Sequence, residues 1–161
     1  MTMRIRNTKD GDFQRCVEIS RAAWPFLKER ESIYHVFCRF CANTSFVLEN
    51  NDGRIIAFLF GFISQADPAE AYIHLAAVEP EFQRTGITTM LYEAFFERVE
   101  WLGADRVRLI VSPQNKPSRT FHEQMGFVVN IQGPCIVVDE VLAHADYNGP
   151  GLHMVTYLRE L

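Results

Sequence analysis

An apolar strand that breaks into a tight turn and reopens as a helix is the strongest constraint in this chain. It lies at Val78-Glu79-Pro80-Glu81-Phe82-Gln83-Arg84-Thr85-Gly86-Ile87-Thr88-Thr89. The first turn of any helix carries backbone N–H groups without internal partners, and the helix dipole adds partial positive charge at that end. Together they make an anion site. Gly86 lets a ligand come close to the backbone because it has no side chain in the way. Arg84 adds a planar, permanently charged fork of donors suited to phosphate oxygens. The turn therefore predicts a bound pyrophosphate. A Walker-type nucleotide loop does not fit, because no Gly-Lys-Ser or Gly-Lys-Thr follows Gly86, and the Gly-x-Gly-x-x-Gly of dinucleotide folds is missing.

The 161 residues have the length of one domain, residues 1–161, and 48% hydrophobic content is enough for a real core. A formal net charge of −4 argues against broad binding to nucleic acid or an anionic membrane, so any basic site is local. The longest apolar run, Ile55 to Ile63, is rich in β-branched and aromatic residues and reads as a buried strand, too short for a bilayer-crossing helix. Residues Met1 to Thr8 lack a secretory signal, and four cysteines without framework-like spacing fit reduced thiols. The expected compartment is the cytoplasm.

Met3 to Asn7 reads as an opening strand, with Thr8 or Asp10 as cap of the following helix. Phe13, Cys16, Val17, Ser20, Ala23 and Trp24 recur at helical spacing before Pro25, and Ile33, Tyr34, Phe37, Cys38 and Cys41 do so in a second helix over about Glu31 to Ala42. Ser45–Glu49 and Arg54–Ser64 flank the turn signal Asn50-Asn51-Asp52-Gly53 and predict a hairpin. Ala71–Val78 continues the sheet into the turn, and a helix is expected to bury Ile87, Met90, Leu91, Ala94, Phe95, Val99 and Leu102 and to end near Gly103. Arg106–Val111 has the pattern of a central strand; Asn115 caps a helix with Pro117 in its first turn, which stops at Gly126. Phe127–Ile131 and Leu152–Leu158 supply the last strands, joined by a long connector.

This element order, with Gln83-Arg84-Thr85-Gly86-Ile87-Thr88 and the later Asn115…Phe121-His122…Met125-Gly126-Phe127, resembles the GNAT superfamily of acyl-CoA-dependent N-acetyltransferases over nearly the whole chain. The resemblance implies an α/β (α+β) fold: a mixed, mainly antiparallel sheet of roughly six to seven strands with a central parallel, splayed pair, flanked by about four helices. It implies acetyl-CoA as co-substrate, held by Ala77, Val78, Gln83, Arg84, Thr85, Gly86, Ile87, Thr88 and Thr89 together with Asn115 and Phe121. Thr88 stands where the family usually has a small residue, which adds a side chain near the phosphates and leaves the backbone donors intact.

By the same resemblance His122 occupies the position of a tyrosine thought to protonate the departing CoA thiolate. Tyr72, His74, Ala76 and Val78 share one strand face by alternation, and His74 is the expected general base, subject to any bulge that would turn it away. Trp24, Phe26, Tyr34, Tyr72 and Tyr147 are expected at the acceptor pocket. The implied reaction is direct attack of a neutral primary amine, from a small molecule or peptide, on the thioester. Two alternatives stay open: an inactive CoA-binding sensor or interaction module, and an acetyltransferase of protein lysines or N-termini. The acceptor partner is thus an amine, with no nucleic acid and no membrane, and the chain is a monomer or homodimer.

Each of these residues also has a packing reading. His122 beside Phe121 and His74 on a strand could be core histidines, and the aromatic residues could be core or surface. His35, Cys38 and Cys41 fall at intervals of three, with Cys16 as a fourth zinc ligand, but small core residues explain the cysteines better and no metal is expected.

Overall fold

The computed structural model describes residues 2–161. Two compact units divide the chain, one ending at Ala104 and the other beginning at Asp105. No linker-like composition marks that boundary.

The first unit is an antiparallel sheet with helices on both faces. Strand β1 (Arg4–Asn7) pairs with β2 (Phe46–Glu49), β2 with β3 (Ile55–Ile63), and β3 with β4 (Glu70–Val78). Helices α1 (Phe13–Ala23) and α2 (Glu31–Phe40) precede β2, and α3 (Ile87–Trp101) follows β4. Neither Thr8 nor Asp10 caps α1. The Thr8 hydroxyl donates to the Cys38 carbonyl, Asp10 pairs with His35 and Arg39, and a 3-10 turn over Asp10–Asp12 leads into the helix. The hairpin turn forms as expected: the Asn50 side-chain oxygen accepts from the Asp52 and Arg54 N–H groups, and Gly53 has φ 74°.

Alternation along β3 splits its side chains between the two helical layers. Phe58 and Phe60 face α2, where Phe37 stacks on Phe60 at 5.1 Å and Tyr34 meets both rings edge-on. Each such fully buried phenylalanine contributes on the order of 2–3 kcal/mol of transfer free energy. Gly61 faces α3 instead, and a Cβ there would lie 2.3 Å from the Phe95 ring. The helix thus packs close to the sheet because that strand position has no side chain.

In the second unit, β5 (Arg106–Val111) and β6 (Val128–Val129) flank β9 (Val155–Glu160), both antiparallel to it. Helix α4 (Lys116–Gln124) follows β5, and Asn115 caps it by accepting from the Ser118 N–H at 3.2 Å. The long connector is not irregular. It folds into a hairpin of β7 (Cys135–Val138) and β8 (Val141–His144), and the strand expected from Leu152 begins only at Val155.

Among the described residues the main sheet strands number four in the first unit and three in the second, beside the separate β7–β8 hairpin, and there are four α-helices, in line with the roughly six to seven strands and about four helices expected. Among the described residues no helix is long and apolar enough to cross a membrane.

Candidate active site

The end of β4 and the turn behind it are held by a buried ionic cluster that sequence reading missed. Glu79 is buried directly after β4 and accepts hydrogen bonds from both Arg15 of α1 and Arg54 of the hairpin. Burial alone would push its carboxyl up, but the two guanidinium groups outweigh that and hold it below the usual carboxylate range. The Gln83 side-chain amide donates to the Val78 carbonyl at 3.2 Å, so this residue, expected on the cofactor, also closes the turn onto the strand. The Thr85 hydroxyl likewise serves the turn, donating to the Phe82 carbonyl at 2.6 Å.

Past these braces the backbone takes the shape an anion site needs. Arg84 and Gly86 both have positive φ, 62° and 85°, and Gly86 is the N-cap of α3. The first helical bond there runs from the Met90 N–H to the Gly86 carbonyl, and no side chain caps the helix. The amides of Ile87, Thr88 and Thr89 therefore open the helix in the manner that favours phosphate. No atom lies within 4 Å of where a Gly86 Cβ would stand, so the approach to the backbone is clear. Arg84 and Thr85 are exposed beside it, and Thr88 is half-buried. The donor set fits a diphosphate.

On β4 the alternation is broken. Phe60 pairs with Leu75 and Gly61 with Ile73, which leaves His74 as the extra residue of a β-bulge. Tyr72 and His74 share the face toward α2, but beyond the bulge Leu75 and Ala77 take that face, as their pairing with Phe60 and Phe58 requires. The single face expected for Tyr72, His74, Ala76 and Val78 is therefore corrected. The bulge does not turn His74 away; His74 is its apex.

The His74 ring stacks on Phe37 at 4.9 Å, and its Nε2 lies 2.5 Å from Glu29 Oε1. A carboxylate oxygen accepts, so Nε2 carries the hydrogen, and Nδ1 is the ring nitrogen that can take up or give a proton. Glu29 sits on the loop between α1 and α2 and was missed in sequence. Nearby, the Trp24 indole N–H donates to the Ala76 carbonyl at 3.4 Å, and Trp24 meets the exposed Phe26 edge-on. The Tyr72 ring lies against Phe62. Tyr34 is a correction: it is 3% exposed and its hydroxyl donates to Ser20 Oγ at 2.7 Å, so it belongs to the core and cannot touch an acceptor.

In the second unit His122 is buried on α4. Its Nδ1 lies 2.7 Å from the Ser118 carbonyl oxygen, which can only accept, so Nδ1 carries the hydrogen and Nε2 of the neutral ring is an acceptor. Burial lowers its pKa to about 4, against a smaller opposing effect of the Ser118 bond. A ring in that state has no proton to give through Nε2 near neutral pH, which corrects the expected role of His122 as proton donor. Phe121 packs edge-on against it and is half-buried. Tyr147 is exposed and rests on His144 beside the β7–β8 hairpin.

Of the residues weighed for zinc, Cys16 and Cys38 are fully buried in the core, while His35 is taken by Asp10 and stacks on Phe13. They are core and helix-packing residues.

Residues 13–127 match the family model described as Acetyltransferase (GNAT) family. The chain belongs to that family. The GNAT chain is 29% identical over 85 residues to the L-2,4-diaminobutyric acid acetyltransferase of Nocardia farcinica (strain IFM 10152), a match covering 53% of this chain and 44% of that protein. The chain thus spans less than half of that relative's length. It is 24% identical over 123 residues to the enzyme of the same name from Virgibacillus pantothenticus, covering 72% of this chain and 76% of that one. Its fold is that of the diaminobutyrate acetyltransferase EctA from Paenibacillus lautus, solved with L-2,4-diaminobutyric acid and coenzyme A, at a TM-score of 0.76 and 17% identity, covering 98% of this chain and 93% of that chain.

Proposed function

We propose that this GNAT chain transfers the acetyl group of acetyl-CoA to a primary amine of a small diamino or amino acid, with His74 as general base. The observation that carries the reading is the pairing, within one unit, of an uncapped α3 N-terminus with a histidine at the bulge of the strand leading into it. The diphosphate binds the amides of Ile87, Thr88 and Thr89, with Arg84 beside them. Ala77 and Val78 lead the pantetheine arm along β4. Trp24 and Tyr72 contact the acceptor. The two curated relatives, both named for diaminobutyric acid, support the class of acceptor.

The chemistry follows from the ring's state. His74 Nδ1 takes a proton from the substrate ammonium, and the neutral nitrogen attacks the thioester carbonyl carbon. The C–N bond forms, the attacking nitrogen gives up its surplus proton to water, the C–S bond breaks, and the thiolate leaves. The side chain of His74 is 30% exposed, so the proton it has gained passes on to water. The leaving thiolate is reprotonated from solvent, since His122 does not serve. A cytoplasmic setting, where acetyl-CoA is at hand, goes with this reading.

The test is release of free CoA thiol from acetyl-CoA across a panel of diamino acids, polyamines and N-terminal peptides. Turnover highest on diamino acids is expected. Turnover confined to peptides overturns the acceptor class, and acetyl-CoA binding without turnover on any amine overturns the enzyme in favour of a sensor.

A further inference from the structure

Between α1 and α2 the chain crosses the mouth of β4 as an irregular loop, residues 24–30, with Phe26 72% exposed at its crest. Such a loop has few backbone bonds of its own: within it, the Leu27 N–H reaches the Trp24 carbonyl. Two side chains pin it to β4 instead, and both land beside the bulge. Trp24 donates to the Ala76 carbonyl at one end, and Glu29 receives His74 Nε2–H at the other. Glu29 is half-buried, with its side chain 20% exposed, which strengthens a charge-assisted hydrogen bond relative to one in open water.

We infer that Glu29 is a positioning residue for His74: it fixes the ring in the Nε2–H tautomer, aims Nδ1 outward, and stabilises the imidazolium formed when the amine is deprotonated. This rests on His74 being the base. A bulge residue is poorly restrained by the sheet ladder, because it has no partner across the strand. His74 is restrained from two other directions, by Phe37 stacked on its face and by the carboxylate at its edge. Arg21 pairs with Glu31, and the Tyr34 hydroxyl donates to Ser20. Tyr72 leans on Phe62 from the same strand. Glu29 is thus the carboxylate to which the ring is joined. The logic is that of a carboxylate-histidine pair in acyl transfer, where the acid orients the ring without itself becoming protonated.

The test combines turnover with a spectroscopic reading of the ring. Glu29→Ala should lower kcat about tenfold or more with little change in the acetyl-CoA KM, and Glu29→Gln, which keeps the size and an acceptor oxygen but loses the charge, should fall between it and the native protein. In a His74→Ala background Glu29→Ala should cost nothing further, because its effect passes through the ring. Histidine side-chain 15N NMR of the acetyl-CoA-free protein should find His74 as the Nε2–H tautomer, moving to a mixture in Glu29→Ala. An equal loss from Glu29→Ala with and without His74, or a tautomer indifferent to the substitution, overturns the positioning role. Full activity in His74→Ala overturns the base reading itself, while the NMR result still decides whether Glu29 sets the ring.

Discussion

His122 turns its Nδ1–H onto the carbonyl of Ser118, 2.7 Å away and one turn earlier on α4, and so spends its hydrogen inside its own helix. Burial holds its pKa at about 4, below the ordinary 6.5. The unfolded chain therefore takes up a proton at a higher pH than the folded one, and folded stability falls as pH drops from about 6.5 to about 4. The full difference is roughly 3 kcal/mol. Urea unfolding at pH 7 and pH 4.5 should show a clear loss in the native protein, and His122→Phe should remove much of that pH dependence.

The same state of the ring predicts the kinetics. His122→Phe should keep kcat within about threefold in the thiol-release assay, since no proton passes through it. A loss of a hundredfold would return His122 to the role of proton donor.

Gly61 of β3 lies directly against the Phe95 ring of α3. Gly61→Ala places a methyl 2.3 Å from that ring and 2.9 Å from the Tyr72 carbonyl oxygen, and neither neighbour is a flexible side-chain end. Thermal or urea unfolding should show destabilisation of about 2–3 kcal/mol.

Glu79 is held by two arginines and lies 7% exposed behind the turn that opens α3. Glu79→Gln removes the buried charge that both guanidinium groups share, leaving Arg15 with Glu18 and Arg54 with the exposed Glu81, and should cost about 1–2 kcal/mol in stability. Because the cluster braces the turn, acetyl-CoA affinity measured by isothermal titration should fall as well.

Gly86 has φ 85° with open space at its Cβ position, so a side chain there meets no protein atom and acts through backbone strain and the bound ligand. Gly86→Val should weaken acetyl-CoA by at least tenfold, by titration, while the unfolding midpoint falls by the equivalent of about 1–2 kcal/mol.

Much of this was legible in the sequence because its signals are local. Arg106–Val111 has the bounds read from its apolar centre, and Asn115 with Pro117 marks the start of α4 as their chemistry requires. The β7–β8 hairpin was hidden because its two-residue turn is Asp139-Glu140, with φ 48° and 68°, in place of the usual Asn-Gly. Tyr34 misled because helical spacing shows which face a residue is on and not whether its hydroxyl finds Ser20. The bulge at His74 did leave a trace across the strand pair: Gly61, alone in an apolar run, is the mark of a bulge or close backbone approach. Glu29 left none, since its partner lies 45 residues away and is reached only through the fold.

The account depends most on the α3 N-terminus receiving the cofactor's diphosphate. Backbone 15N–1H NMR of the native protein titrated with CoA, and in parallel with dephospho-CoA and pantetheine, tests this directly. The largest shifts should fall on Gly86, Ile87, Thr88 and Thr89 with CoA and dephospho-CoA alike, and be absent with pantetheine, which lacks the diphosphate. Saturable binding of CoA that leaves those four amides unmoved would contradict it.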